Sequence, residues 1–152
     1  DQVRFLMSAN AGEEPGRISK IASGGELSRI MLAIKSVFAA HDRVQSMVFD
    51  EIDTGVSGIA AQRVGEKLSD IASRKQVLCI THLPQIAAMA DAHYLIEKDE
   101  REGRTFTRVL PLEREGRIQE IARLQSGENP TKAMLESAGE LLAAAGAHKT
   151  RS

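Results

Sequence analysis

The sequence predicts an α/β protein with a mainly parallel sheet flanked by helices. Apolar runs typical of strands alternate along the chain with segments whose apolar residues recur at helical spacing. The strand-like runs are continuously apolar, which is typical of parallel strands covered on both faces. The chain has 152 residues, of which 42% are hydrophobic, so it is long enough to bury one core and predicts a single domain.

The first half of the chain predicts two strands and two helices, with a turn-rich loop between the first strand and the first helix. Asn, Gly and Pro punctuate that loop, whereas Leu27, Met31 and Ile34 recur at the spacing of one helix face. The expected order is a strand at 3–9, a loop at 10–17, a helix from 24 to about 40, a strand at 46–50 and a helix at 59–72.

The second half predicts a strand, a short helix, a hairpin and two closing helices. Gly103 lies in a polar segment between two strand-like runs, which favours a hairpin turn there. Asn129 followed by Pro130 predicts an N-cap with Pro at the first position of the last helix. The expected order is a strand at 76–81, a helix at 84–90, strands at 92–98 and 105–110 around a turn at 99–104, and helices at 115–124 and from 129 onward.

The segment 23–29, Ser-Gly-Gly-Glu-Leu-Ser-Arg, opens the first helix. Ser23 and Glu26 have the spacing of a capping box, a purely structural interpretation. Gly24 and Gly25 each forfeit up to ~1 kcal/mol of helix propensity against alanine, which a cap alone does not require. Glycine leaves bare N–H groups at the positive end of a helix, where a phosphate can approach closely, so the segment also indicates a phosphate contact.

Two consecutive carboxylates, Asp50 and Glu51, end an apolar strand. Ligands of open α/β sheets bind beyond the carboxyl ends of the strands. Asp50 suits Mg²⁺, directly or through a water, and Glu51 suits a general base or orienting group for an attacking water. The alternative is that the pair only caps the following turn.

His82 ends the next predicted strand, where an imidazole could contact a γ-phosphate or the attacking water. Taken alone, such a residue is more often a structural histidine, and only its place after the Asp-Glu strand favours a site. His41, His93 and His148 lack such a setting, and no Cys/His spacing predicts zinc. No Lys follows a Gly, so the phosphate-binding loop Gly-x-x-x-x-Gly-Lys-Ser/Thr is missing and the chain is not expected to be a complete ATPase.

Composition limits the partners and the compartment. The net charge is −1, which predicts no extended nucleic-acid surface. Cys79 is the only cysteine and is expected to be a buried small hydrophobe, and no apolar run approaches the length of a membrane span. These features predict a soluble protein of a reducing compartment, and a start at Asp1 suggests a piece of something longer. The interleaved basic residues are expected to form a solvated face; they are Arg101, Arg104, Arg108, Arg114, Arg117 and Arg123.

These motifs together resemble the C-terminal half of an ABC-type ATPase head of the kind found in SMC proteins. The segment 23–29 is similar to the signature motif, 47–51 to the Walker B strand and His82 to the switch histidine. The segments 49–58 and 81–85 are especially similar to those of bacterial family members that repair DNA double-strand breaks. The resemblance covers nearly the whole chain and implies a bacterial cytoplasmic, nucleoid-associated protein without membrane contact.

The resemblance implies that residues 1–152 form one lobe, with the Walker A lobe and the coiled coil outside this chain. Two completed heads would sandwich ATP and Mg²⁺ as a homodimer, and DNA would be engaged by the full-length protein. Catalysis would fall to Glu51 and His82, metal binding to Asp50, and nucleotide contact in trans to Ser23, Gly24, Gly25 and Glu26. The D-loop at the dimer interface would include Asp53, Thr54, Gly55 and Ser57, with Ser57 where transporters carry a D-loop Asp.

Two other functions compete with this one. A catalytically inactive dimerisation module would need the signature segment but not Asp50, Glu51 and His82 together. Direct DNA binding by this lobe would use the arginines of 101–123, against which the net charge and the 3% aromatic content count.

Overall fold

The computed structural model describes residues 6–8, 11–12, 14–18, 22–38, 43–101 and 103–150. Strands and helices alternate through the first part of these ranges and two helices close the chain, as the sequence predicts. The elements are β1 (Leu6–Met7), β2 (Gly16–Arg17), α1 (Gly24–Phe38), β3 (Ser46–Phe49), α2 (Gly58–Ala72), β4 (Gln76–Cys79), α3 (Pro84–Ala88), β5 (His93–Arg101), β6 (Arg104–Leu112), α4 (Arg114–Ser126) and α5 (Lys132–Lys149).

The described strands form three separate two-stranded sheets instead of one mainly parallel sheet. Among the described strands only β3 and β4 are parallel, with Ser46 opposite Gln76 and Phe49 opposite Cys79. β1 pairs with β2 and β5 with β6 in antiparallel fashion. The expected α/β class is therefore confirmed, whereas the expected extent of parallel pairing is not.

Only one face of the β3–β4 sheet is covered, so the expectation of burial on both faces is wrong for the described residues. Met47 and Phe49 point into the core, whereas Val48 on the opposite face is 69% exposed. Leu78 of β4 and Ile80 beyond it are exposed as well. Successive side chains of a strand alternate between faces, so an apolar run fills both faces whether or not a covering layer is present.

Two hydrophobic clusters hold the described elements together. The first lies under the β3–β4 sheet and comprises Leu32, Met47, Phe49, Ile52, Leu68, Ile71 and Ile86. The second joins α3, α4 and α5 through Ala88, Met89, Ile121, Ala122, Ala138, Leu142 and Ala145. The first cluster fixes α1 and the end of β3 against each other, which positions the predicted site.

Several boundaries differ from the sequence predictions. Gly16–Arg17 pairs with Leu6–Met7, so the expected loop at 10–17 is wrong at its end, while positions 3–5 and 9 lie outside the described residues. α1 ends at Phe38, and the expected continuation to 40 lies outside them too. The hairpin is confirmed, but its strands run to Arg101 and resume at Arg104, with Gly103 in the turn at φ 73°.

The last helix begins later than the sequence predicts. Its N-cap is Thr131, whose hydroxyl accepts a hydrogen bond from Met134 N at 3.4 Å. The expected start at Asn129 and Pro130 is therefore wrong. A side-chain oxygen that can satisfy a free N–H of the first turn lies two residues further on.

Among the described residues, no helix is both long and apolar enough to cross a membrane.

The two candidate caps can be separated by substitution. Thr131→Ala removes an N-cap and should lower the free energy of unfolding by about 1 kcal/mol. Asn129→Ala changes an exposed residue outside the helix and should leave it within about 0.5 kcal/mol of wild type. Urea denaturation of the 152-residue chain measures both values. A larger loss for Asn129→Ala than for Thr131→Ala would restore the earlier helix start.

Candidate functional site

The predicted site residues meet around a tight turn at residues 50–55, which follows β3. Thr54 N donates to Glu51 O at 3.1 Å, and Val56 N donates to Asp53 O at 3.3 Å. Glu51 and Gly55 both adopt the left-handed conformation, with φ of 58° and 74°. Glu51 is the one non-glycine residue in that conformation in the described part of the chain. The chain therefore turns immediately after Asp50 in the sequence.

The N-terminus of α1 is closed by the expected capping box. Ser23 N donates to Glu26 Oε2 at 2.8 Å, and Glu26 N donates to Ser23 Oγ at 3.3 Å. The hydrogen bond from Ser23 N is the main reason that the pKa of Glu26 is lowered. The structural interpretation of this motif is therefore confirmed, and it accounts for Ser23 and Glu26 without any ligand.

The glycine pair has a function within the lobe that sequence reasoning missed. A Cβ on the buried Gly25 would lie 2.9 Å from Glu51 O, Thr54 O and Thr54 Cβ. A Cβ on the exposed Gly24 would lie 2.6 Å from Glu51 Oε2. Gly25 therefore lets the helix pack directly on the backbone of the 50–55 turn, whereas Gly24 meets only the end of a flexible side chain.

Two polar side chains of α1 attach the helix to the same turn. Ser28 Oγ donates to Asp50 O at 3.1 Å. Arg29 Nη1 donates to Ile52 O at 3.2 Å and to Thr54 O at 2.7 Å. Sequence reasoning did not single out Arg29, although it lies four residues after Gly25 and hence on the same helix face.

Asp50 and Glu51 are both exposed at the end of β3. Asp50 Oδ1 accepts a hydrogen bond from Glu51 N at 2.9 Å, which is the turn-capping contact of the structural alternative. In the described ranges no other hydrogen bond or ion pair involves the Asp50 carboxylate, so Oδ2 remains available as a hard oxygen ligand.

The Asp50 carboxylate fits Mg²⁺ only if waters and substrate phosphates supply most of the other ligands. No group of three or more His, Cys, Asp or Glu residues within the described ranges could hold a metal ion. Mg²⁺ in phosphate-transfer sites is commonly bound through one or two carboxylates, with waters and substrate phosphates completing the shell. A single exposed carboxylate such as Asp50 suits that arrangement and does not suit a protein-only metal site.

Asp53 is buried and connects the turn to the end of β4. Its Oδ2 accepts hydrogen bonds from Thr81 Oγ1 at 2.7 Å and from His82 N at 2.9 Å, and His82 Nδ1 lies 3.0 Å from the same oxygen. Burial raises the pKa of Asp53, but these hydrogen bonds outweigh it, so the pKa is lowered overall. The carboxylate is therefore ionised at neutral pH, and the bonds weaken only in acid.

The predicted D-loop residues divide into two groups. Thr54, Gly55 and Ser57 are exposed, as residues of an interface must be in an isolated lobe. Asp53 is 4% exposed and faces His82, so the structure does not bring it to the surface. Thr81, which completes this contact, was missed by sequence reasoning.

Two clefts of about 400 and 420 Å³ lie along α4, and neither includes a predicted site residue. Arg117 lines the first cleft and donates hydrogen bonds to Ala90 O at 2.7 Å and, at longer distance, to Ala88 O and Asp91 O. Arg123 forms two hydrogen bonds of 2.7 Å with Glu120. Arg117 is therefore structural, and the expectation that the basic residues form a solvated face is wrong for it, whereas Arg123 remains exposed beside Glu120.

Two further sequence predictions concern single side chains. Cys79 is only half-buried but packs against the first core cluster, and burial raises the pKa of its thiol to about 12. His93 is partly buried, which lowers its pKa, and it lies far along the chain from the 50–55 turn. The charges of Asp53 and Asp50 add to the raised pKa of Cys79, so this thiol lies near the predicted site, whereas the pKa of His93 responds to burial, Arg117 and Glu120.

Known proteins resemble this chain closely in sequence. No protein-family profile matches it. DNA repair protein RecN of Bacillus subtilis is 52% identical over 150 residues, covering 99% of this chain and 26% of that protein. RecN of Deinococcus radiodurans is 53% identical over 141 residues, covering 93% of this chain and 24% of that protein. The chain thus spans about a quarter of the length of these curated relatives.

A solved structure supports the fold. It comes from work on the "structural biochemistry of ATP-driven dimerization and DNA stimulated activation of SMC ATPases". It aligns with a TM-score of 0.51 and 24% sequence identity, covering 78% of this chain and 71% of that one. The likeness agrees with the α/β fold of this chain.

The two glycines should respond differently to a methyl group. Gly25→Ala places Cβ against two backbone carbonyls and should lower the free energy of unfolding by roughly 1–3 kcal/mol. Gly24→Ala displaces only the end of the Glu51 side chain and should change it by less than about 1 kcal/mol. Thermal and urea unfolding of the two variants gives the comparison. Equal stability of both would contradict the close packing of α1 on the turn.

Proposed function

Because the chain is homologous to DNA repair protein RecN over nearly its whole length, we propose that it forms the C-terminal lobe of a RecN-like ATPase head. Completed by an N-terminal Walker A lobe, it binds and hydrolyses ATP and drives ATP-dependent engagement of two heads in double-strand-break repair. One observation carries this proposal. The Asp50–Glu51 pair lies in the 50–55 turn, and both α1 and His82 are hydrogen-bonded to that same turn. A turn that contacts all three can transmit a change at one of them to the others.

Each exposed group around the turn has a role in this proposal. When bound, ATP would supply the γ-phosphoryl group that is transferred to water, with ADP as the leaving group, and Mg²⁺ would neutralise the phosphate charge. Asp50 offers Oδ2 to the metal, directly or through a water. Glu51 orients or deprotonates the attacking water, and His82 contacts the γ-phosphate or the same water.

The N-terminus of α1 serves a nucleotide held by the partner head. Ser23 and Gly24 are exposed there, and their position at the positive helix end suits an anion. Gly25 is turned inward, so its part is to hold the helix against the turn. Thr54, Gly55 and Ser57 lie on the exposed rim and are the proposed homodimer contacts.

The uncovered side of the β3–β4 sheet is the proposed contact with the chain's own N-terminal lobe. An exposed apolar face is formed there by Val48, Leu78 and Ile80. The faces of a parallel sheet are usually both covered. The phosphate-binding loop is missing from the sequence, and about three quarters of each curated relative lies outside the matched region. A covering lobe that carries the Walker A loop satisfies both requirements.

DNA is engaged by the full-length protein in this proposal and not by this lobe alone. Arg117 and Arg123, which sequence reasoning considered for a DNA contact, are bonded to backbone carbonyls and to Glu120. The net charge of −1 gives the chain no overall positive charge that would attract nucleic acid.

Hydrolysis should require both lobes and Glu51. Steady-state ATPase assays of this chain, of the N-terminal lobe and of their mixture should show activity only in the mixture. Glu51→Gln should keep ATP binding and prolong head engagement, while turnover falls by roughly 10²-fold or more, because the amide cannot accept the proton of water. Glu140→Gln, an exposed residue of α5, is the matched control and should hydrolyse normally.

Normal turnover by Glu51→Gln would refute the role given to Glu51. A mixed complex that binds ATP without hydrolysing it would instead favour the inactive dimerisation module.

The apolar face should be required for assembly of the two lobes. Val48→Glu with Leu78→Glu places charges where the N-terminal lobe is proposed to dock and should abolish co-elution of the lobes in size-exclusion chromatography. Both side chains are exposed, so the circular dichroism of the variant lobe should be unchanged. Met134→Glu on α5 is the control and should co-elute. Co-elution of the doubly charged variant would place the N-terminal lobe on another surface.

A further inference from the structure

The strongest unassigned contact in the molecule is the one between Asp53 and His82. Two hydrogen bonds reach a single oxygen, Asp53 Oδ2, from the Thr81 hydroxyl at 2.7 Å and from His82 N at 2.9 Å, and His82 Nδ1 lies 3.0 Å from the same oxygen. The two hydrogen bonds already join the 50–55 turn to the end of β4. The third contact is not needed for that connection and acts on the imidazole itself.

The third contact indicates which ring nitrogen is free. A carboxylate can only accept, so an Nδ1 atom 3.0 Å from Oδ2 is stabilised when it carries the hydrogen, which favours the Nδ1–H tautomer of His82. Nε2 is then the atom that faces away from Asp53, as a lone-pair acceptor in the neutral ring and as a donor in the protonated one. The His82 side chain is 73% exposed, so packing alone does not hold its orientation.

The burial of Asp53 argues for the same role. Asp53 is only 4% exposed and its Oδ2 is engaged within the lobe, so it offers little surface for a partner head to contact. The cost of burying a charge is offset here mainly by the hydrogen bonds from residues 81 and 82. The lowered pKa keeps the group anionic at neutral pH and hence always an acceptor.

We propose that Asp53 is a positioning residue, which holds His82 in the tautomer and orientation that direct Nε2 at the γ-phosphate or the attacking water. This proposal rests on the ATPase function proposed above. It also separates Asp53 from its neighbours Thr54, Gly55 and Ser57, because Asp53 acts inside one lobe and not across the interface.

A double-mutant cycle in the full-length protein tests the proposal. Asp53→Asn should lower kcat for ATP by roughly 10- to 100-fold with KM within about twofold, because the amide no longer enforces the Nδ1–H tautomer. His82→Ala should lower kcat at least as far. The double variant should match His82→Ala within about twofold, since Asp53 acts only through the ring. Thr81→Val removes one other bond to Asp53 and should retain kcat within about threefold.

The outcomes are distinguishable. A double variant whose loss equals the product of the two single losses would overturn the proposal, and so would wild-type kcat in Asp53→Asn. Equal losses in Asp53→Asn and Thr81→Val would show a merely structural contact. Wild-type protein without Glu51-dependent hydrolysis would overturn the proposed function and this inference together.

A second pair of variants keeps the test decisive should Asp53→Asn fail to fold. His82→Asn retains a donor near the position of Nδ1 but has no atom at Nε2, whereas His82→Gln can place its amide near Nε2. His82→Asn should keep the wild-type melting temperature and lose as much kcat as His82→Ala, and His82→Gln should retain more kcat. Wild-type kcat in His82→Asn would contradict the assignment of Nε2 as the working atom.

Discussion

The close approach of α1 to the 50–55 turn is the constraint on which the rest of the site depends. A helix start and a chain reversal can touch backbone to backbone only where no side chain intervenes, and Gly25 provides that position. Arg29 and Ser28 then bind the carbonyls of the turn, so the helix and the turn form one rigid piece. On the other side of the turn, Asp53 fixes the end of β4. Without the contact at Gly25, the N-terminus of α1 would lose its fixed position relative to the carboxylates and His82.

The lobe is incomplete in its hydrophobic layers. Its first core cluster covers one face of the β3–β4 sheet, and apolar side chains on the other face remain in water. Burial of apolar area contributes about 25 cal/mol per Å², so covering this face would add substantially to stability. Folding and assembly of such a lobe are therefore linked, because a partner that binds only the folded form stabilises it.

The sequence allowed the local chemistry to be predicted, and it failed where tertiary contacts decide. The capping box at Ser23 and Glu26 follows from spacing, as does the end of β3 in two carboxylates. Arg29 could not be assigned, because its partners are backbone carbonyls more than twenty residues away whose position depends on the fold. Asp53 was grouped with an interface because neighbours in sequence share a loop, yet burial divides that loop. The exposure of one face of the β3–β4 sheet could not be predicted for another reason. An apolar strand has the same composition whether the layer that covers it belongs to this chain or to another part of the protein.

At Glu51 the residue that would give the most stable backbone differs from the residue that the proposed chemistry needs, because the backbone there is left-handed. A non-glycine residue in that conformation costs on the order of 1 kcal/mol or more, and glycine would relieve most of it. A glycine there would have no carboxylate. Variants selected only for thermal resistance should therefore accumulate glycine at this position and lose any activity that needs the acid. Retention of glutamate in a lobe under such selection would be a sign that the side chain, and not the fold, is being preserved.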